Sequence, residues 1–557
     1  MKSRAEQLKN IAGKSFDVCV IGGGATGAGC ALDARLRGLR TVLLEAGDFA
    51  GATSSAATKI IHGGVRYLEE AIKDVDPKEY HVVVRALHER VRMLDNAPHL
   101  TRRLEFLVPS FRWLDVAYLD IGLKIYDWLA GSARISPSKF IPREETLRRM
   151  PQLNQDGLLG SVEYSDGQFD DARYNLALVH TFTDAGGDAL NHCRVTEFSR
   201  DSAGRLSGVV AIDEMSAATI KVNARVIVNA TGPVSDLVRQ MASPSIPSRM
   251  RLSKGSHILF PLDLFPTEDA MLIPKTEAGS VLFAVPWGGR LLVGTTEREV
   301  APGDDLYVTE EEITYMLRQL NRYLARPLRP SDIVSGFAGA RPLVSAGGNE
   351  STQRIARDDV IEIEPKSGLI SIMGGKWTTH RAMAEDTINA VQEALGVAVS
   401  ECPTRNHVLH GGEGFTSDLW EQLMTYPISK ETAQHLAAKF GTAAWDVLEL
   451  TRTNSSLIQL LIPGNAQIQA EVVYAVREEL AATIEDVISR RIGLQYYSWK
   501  DAIKAAPVVG SLMAKELQWT SVEEREAVSS YSRRINFFLR SAGLVTATNS
   551  AEQSSAA

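Results

Sequence analysis

The stretch ATSSAATKIIHGGVRYLEE, residues 52–70, crowds together groups that hold ligands. Thr53, Ser54 and Ser55 offer hydroxyls, Lys59 an ammonium, His62 an imidazole and Gly63 bare backbone. Arg66 and Tyr67 add a guanidinium fork beside a phenol. A solvated loop has no need of an arginine and a tyrosine against a glycine pair, so the stretch predicts a ligand lying along it.

A second constellation opens the chain. FDVCVI at 16–21 reads as a buried strand, GGGATGAG turns it into a helix reaching Gly38, and RTVLLE at 40–45 is another buried strand. Strand, glycine turn, helix and strand in about thirty residues form a parallel βαβ unit. Gly22-x-Gly24-x-x-Gly27 allows the tight turn, the close approach to a pyrophosphate and the helix–strand contact of a dinucleotide site. Free amides at the helix start face the phosphates, and Glu45 is placed for ribose hydroxyls.

Two later segments return to the same kind of domain. ARVIVNATGP at 224–233 is an apolar strand whose small end, at Ala230 and Gly232, lets a dinucleotide lie over the backbone. GLISIMGGKWTTH at 368–380 runs into a helix with Ala384, Ile388, Val391 and Leu395 at helical spacing, stopping at Gly396. Helix-end amides and Lys376 there would stabilise negative charge such as that of a reduced flavin ring. Taken alone, Lys376 also reads as a solvated first-turn residue.

The 557 residues suffice for two or three domains with large cores, and 44% apolar with 23% charged residues is ordinary for a globular protein. A net charge of −8 argues against a nucleic-acid partner. Cys19, Cys30, Cys193 and Cys402 lack ligand spacing, so free thiols in a reducing compartment and no structural metal are expected. The start, MKSRAEQLKN, has no secretory apolar core, and no run of about 18 apolar residues suggests a membrane span.

These motifs resemble the FAD-dependent glycerol-3-phosphate dehydrogenases, within the D-amino-acid-oxidase-like flavoproteins. The resemblance runs in order through VIGGGATGAGCALDARLRGL, LLEAGDFAGATSSAATKIIHGGVRYLEE, EYSDGQFDDAR, NATGP, KGSHI, GTTE, GARPL and GGKWTTHR, over roughly residues 16–400. It implies an α/β plus α fold: a Rossmann-like FAD-binding domain interleaved with an antiparallel-sheet substrate domain, then a C-terminal helical domain. The expected boundaries are an N-terminal arm (1–15), an FAD-binding domain (16–99, 151–240, 345–400) and a substrate or cap domain (100–150, 241–344). A helical domain (405–543) and a disordered tail (544–557) follow.

The resemblance also implies noncovalent FAD held by Gly22, Gly24, Gly27, Glu45, Ala46, Thr53, Ser54, Ser55, Lys59, His62, Gly63, Val195, Ala230, Gly232, Gly375, Lys376 and Thr378. Thr53, Ser54, Ser55 and Lys59 would meet the cofactor's phosphates. The implied reaction is oxidation of sn-glycerol 3-phosphate to dihydroxyacetone phosphate, with hydride passing from C2 to the flavin. A phosphate dianion needs fixed cations, and Arg66, Tyr67, Arg341 and Lys376 match the family's substrate-binding positions. The proton acceptor is His257 of KGSHI or His62, with Arg341 as an alternative aid to the departing proton and His257 preferred.

RWLDVAYLDIGLKIYDWL at 112–129 puts Leu114, Tyr118, Ile121, Ile125 and Trp128 at helical spacing. Its spacing alone reads as a core-facing helix, and its few basic residues weaken attraction to lipid. The resemblance points the other way, to a peripheral membrane enzyme on the cytoplasmic face of the cell membrane that reduces a quinone. A homodimer is a further expectation. Rival readings are an oxidase that reduces oxygen, an amine or amino-acid oxidase of the same fold, and a flavin-binding regulator without turnover.

Overall fold

A computed structural model of the chain describes residues 4–64, 77–345 and 359–545. Among these, two sheets share the first 400 residues. In the first, Ser15–Ile21 pairs in parallel with Thr219–Asn229 on one side and Thr41–Leu44 on the other. Asp188–Leu190 extends the sheet beyond Thr41–Leu44, and Ile370–Gly374 extends it beyond Thr219–Asn229. The inner strands are apolar on both faces because both are covered, one by helices and the other largely by the antiparallel strands Cys193–Arg200, Leu206–Asp213 and the start of Thr219–Asn229. One covering layer is the helix pair Ala25–Leu36 and His380–Leu395, which meets at Gly29 and Ala384. The second helix ends at Gly396 in the left-handed conformation, as its sequence predicts.

The second sheet is largely antiparallel and contains Met250–Pro261, Leu282–Trp287, Arg290–Gly294 and Ser335–Val344, within the region expected to be strand-rich. Gly160–Phe169, expected in the FAD-binding domain, belongs to this sheet. It pairs along its length with Thr101–Ser110 and binds the two-residue strand Ile60–Ile61. The stretch 52–64 therefore crosses from one sheet to the other.

The C-terminal helices do not stand apart. Their core is continuous with the second sheet, joining Leu436, Val473, Ile488 and Trp499 to Ile258, Phe260 and Leu291. The Trp499 N–H donates to the Val334 carbonyl at 3.0 Å. Arg490 and Arg491, in a single π-helical turn at Asp486–Arg491, pair with the buried Asp48 just beyond Glu45. No helix among the described residues is long and apolar enough to cross a membrane.

Candidate active site

The glycine turn is built for close approach. Gly22 has φ +108°, and a methyl there would lie 2.6 Å from the Ala230 carbonyl oxygen. A methyl at Gly27 would fall 1.8 Å from the Gly22 oxygen. The helix from Ala25 starts at Gly24 without a side-chain cap, leaving its amide end to a ligand or a neighbour. One such neighbour is Ser54, whose Oγ accepts the Ala25 N–H at 2.9 Å. Glu45 accepts the Gly23 N–H at 2.6 Å and the Gly47 N–H at 2.7 Å, bridging the turn and its own loop. Burial pushes its carboxyl above the usual range, against the pull of those two amides. A cradle of this shape, with a carboxylate at the second strand's end, fits a dinucleotide.

Other expected cofactor residues gather here. Ala46 is half-buried beside Glu45, whose carbonyl accepts the Cys193 N–H at 2.7 Å, two residues before Val195. Gly232 opens the 3-10 turn after Ala230. The Thr53 hydroxyl donates to the Ala340 carbonyl at 2.6 Å, fastening the loop to the strand that carries Arg341. The Trp377 indole N–H donates to the Ser54 carbonyl at 2.9 Å, and Thr378 Oγ1 accepts the His62 N–H at 3.3 Å. The structure thus brings 52–63 onto Gly375, Lys376 and Thr378, and Lys376 is half-buried at that junction. Gly63 is buried, and so is Ser55.

Lys59, expected at the phosphates, is enclosed. Its side chain is 0% exposed, and its ammonium donates to Asp171 and to the Ser55 carbonyl. The rings of Trp287, Phe337 and Tyr496 surround it at 5.0, 4.8 and 4.7 Å. Burial pushes the Asp171 carboxyl up to about 6, although Lys59 pulls it down. The lysine is a buried, paired charge at the seam between the sheets.

His257 and Arg341 stand on the paired strands Met250–Pro261 and Ser335–Val344. Arg341 donates to Thr295 Oγ1 at 3.0 Å and lies 3.7 Å from Glu297, with about a quarter of its side chain exposed. His257 is more enclosed than a base in direct contact with substrate should be. It is 2% exposed, stacked on Phe337 with ring centres 4.8 Å apart, with Nε2 3.0 Å from Thr58 Oγ1. Burial, then the charges of Arg341 and Lys59, holds its pKa well below the ordinary value, so the imidazole is neutral at pH 7. Thr58, half-buried, was not singled out by sequence, although its place beside Lys59 in the anion-suited stretch was a signal. Arg66 and Tyr67 lie outside the described residues.

Helix Trp113–Ala130 overturns its core-facing reading. Trp113, Leu114, Tyr118, Ile121 and Trp128 are 64, 73, 55, 62 and 72% exposed, while Val116, Leu123, Tyr126 and Leu129 face inward. Of the five residues expected to share an apolar face, only Ile125 packs against the interior.

Residues 17–387 match the family described as FAD dependent oxidoreductase, and 402–524 match the C-terminal domain of alpha-glycerophosphate oxidase. The chain is 37% identical to the mitochondrial glycerol-3-phosphate dehydrogenase of Homo sapiens over 537 residues, 94% of this chain and 74% of that one. It is 38% identical to the probable mitochondrial enzyme of Caenorhabditis elegans over 538 residues, with the same coverage. Among solved structures, the glycerol-3-phosphate dehydrogenase of Bacillus halodurans complexed with FAD superposes with a TM-score of 0.75 at 28% identity, over 97% of both chains. The FAD-bound L-alpha-glycerophosphate oxidase of Mycoplasma pneumoniae, at TM-score 0.55 and 16% identity over 71% of this chain and 98% of that one, shares the fold.

Proposed function

The chain belongs to the family of FAD-dependent glycerol-3-phosphate dehydrogenases, and from that premise we propose that the electrons it takes from sn-glycerol 3-phosphate pass to a quinone dissolved in a membrane. The observation that carries the acceptor is the bare outer face of helix Trp113–Ala130. Large exposed apolar patches mark interaction surfaces, and aromatic rings settle at the headgroup level of a bilayer. A peripheral enzyme seated in this way meets a lipid-soluble acceptor directly, and the cytoplasmic face of the cell membrane is the location proposed.

FAD, when bound, supplies the oxidant that accepts the C2 hydride with its two electrons. The glycine turn, Glu45 and the segment from Gly375 to Thr378, gathered by hydrogen bonds to Gly23 and His62, would hold it by backbone amides and short polar side chains. Arg341 and Lys376, with Arg66 and Tyr67, bind the phosphate dianion, because fixed cations recover what the anion loses on leaving water. The hydroxyl proton of C2 passes to Thr58, whose own proton moves to neutral His257 Nε2. Support for this route is the 3.0 Å contact between the Thr58 hydroxyl and His257 Nε2.

Two measurements test the reading. Anaerobic addition of glycerol 3-phosphate should bleach the flavin absorbance; an unbleached flavin rejects the substrate. Replacing Trp113 and Trp128 with Ser should abolish binding to lipid vesicles and slow reduction of a long-chain quinone, while a water-soluble dye is reduced at the parent rate. Equal loss with both acceptors, or rapid reoxidation by oxygen alone, rejects the membrane quinone.

A further inference from the structure

Two histidines and a carboxylate converge outside the site described above. His180 Nδ1 lies 3.2 Å from Asp184 Oδ2, and His410 Nδ1 lies 2.9 Å from the same oxygen. The two imidazoles stack with ring centres 3.5 Å apart and planes 21° from parallel. The His180 side chain is 7% exposed, that of His410 23% and that of Asp184 52%. Nε2 of each ring is buried and meets no hydrogen-bond partner among the described residues. The polar bonding of both rings is therefore aimed at one carboxylate oxygen, and no second bond fixes either tautomer.

Helical spacing explains half of the cluster. His180 and Asp184 stand four residues apart at the end of helix Asp171–Asp184, so they share one face. Carbonyls of a helix's last turn bring negative potential there, which favours a cation. His410 comes from the segment that leads into the C-terminal helices, and backbone bonds set it in place. Its N–H donates to Thr181 Oγ1 at 2.9 Å, and the Leu409 N–H donates to the Asn96 carbonyl at 2.7 Å.

The donor atoms all lie within 4.8 Å of one another. Ligand atoms around a tetrahedral Zn²⁺ stand about 3.3 Å apart, as bonds of about 2.0–2.1 Å dictate, so the two nitrogen–oxygen separations need open only slightly. Imidazole nitrogens with one carboxylate oxygen suit Zn²⁺ and its transition-metal neighbours, whereas Mg²⁺ and Ca²⁺ take oxygen ligands. Half-exposed Asp184 gives an entry path and room for water as a fourth ligand. We propose that His180, His410 and Asp184 bind a divalent transition-metal ion, Zn²⁺ foremost, through both Nδ1 atoms and Oδ2, and that the ion fastens helix Asp171–Asp184 to the segment opening the C-terminal helices. The cysteines, whose spacing led to the expectation of no structural metal, take no part. The helix is about 20 Å long, which sets the ion well away from Asp171 and Lys59 at its other end.

The test uses untagged, FAD-loaded enzyme, stripped of metal by a chelator and titrated with Zn²⁺ in competition with a chromogenic chelator. The parent should take up one Zn²⁺ per chain. His410→Gln and Asp184→Asn, both at partly exposed positions, should each weaken that uptake about tenfold or more, since even the loss of an outer-shell partner has such an effect. Both variants should keep the parent's kcat and flavin content. Co²⁺ should give the parent, and neither variant, the intense d–d bands of a four-coordinate ion to the red of the flavin absorbance. Zn²⁺ should also raise the denaturation midpoint of the parent and leave those of the variants in place. No Zn²⁺ uptake by the parent, or equal affinity in the parent and both variants, overturns the site. Uptake without a rise in the midpoint overturns the fastening.

Discussion

Thr58 Oγ1 lies 3.0 Å from His257 Nε2, joining the stretch that leaves the nucleotide cradle to an inner strand of the second sheet. A hydroxyl between an enclosed imidazole and the site can hand a proton inward without moving either partner. Thr58→Val keeps the shape and removes the hydroxyl. With general-base assistance contributing about 10²–10⁴ in rate, kcat should fall by at least about tenfold with KM little changed. An unaltered kcat at saturating substrate would take Thr58 and His257 out of the proton path.

Arg341 is held on one side by Thr295 and keeps part of its guanidinium exposed. A charge-assisted contact of about 1.5–3 kcal/mol makes Arg341→Ala raise KM for glycerol 3-phosphate by about tenfold or more. FAD content should stay at the parent level. A variant that loses FAD while its KM holds would move Arg341 from the substrate to the cofactor or the scaffold.

Lys59 and Asp171 form a pair with no solvent access. Removing one partner strands the other charge, a loss of about 3–5 kcal/mol in stability. Lys59→Met should therefore lower the denaturation midpoint steeply, and Lys59→Met with Asp171→Asn should recover at least half of that loss. Both proteins should bind FAD within a few-fold of the parent once folded. A large drop in FAD affinity at parental stability would restore Lys59 to the phosphates.

His99 is buried, and burial, then Arg173 and His410, lowers its pKa to about 3. Unfolded, the ring titrates near the ordinary value of about 6.5. Between those two values the unfolded chain binds the extra proton, so the contribution of His99 to stability is complete above pH 6.5 and is lost as pH falls through the window. The slope is about 1.4 kcal/mol per pH unit for one proton. His99→Gln should flatten the dependence of stability on pH between 6 and 4 by up to that amount, read from denaturant midpoints. A parallel, merely offset curve would contradict the assignment.

The first motif was legible because its chemistry is local. Gly22, Gly24, Gly27 and Glu45 lie within 24 residues, on a strand, turn and helix whose hydrophobic pattern declares them. The expectation that Arg341 and Lys376 face one substrate rests on resemblance, since nothing near either in the chain says that they share a site. That Gly160–Phe169 joins the second sheet was not legible, because a strand buried on both faces carries no mark of its partner. Pairing is chosen by neighbours distant in the chain.

Lys59 and helix Trp113–Ala130 show the same division from opposite sides. In sequence, a lysine among hydroxyls looks like an anion ligand; folding sets Asp171, 112 residues away, against it and closes three rings around it. In sequence, apolar residues at helical spacing look like a core face; folding turns the other stripe inward, where Tyr126 finds the Gly63 amide. The sequence by itself determined the dinucleotide cradle, the family and the chemistry, because those depend on residue types at short spacing. Only the tertiary structure decided which charges are available to a ligand and which apolar face stays bare, because burial belongs to the packed chain and not to any one segment of it.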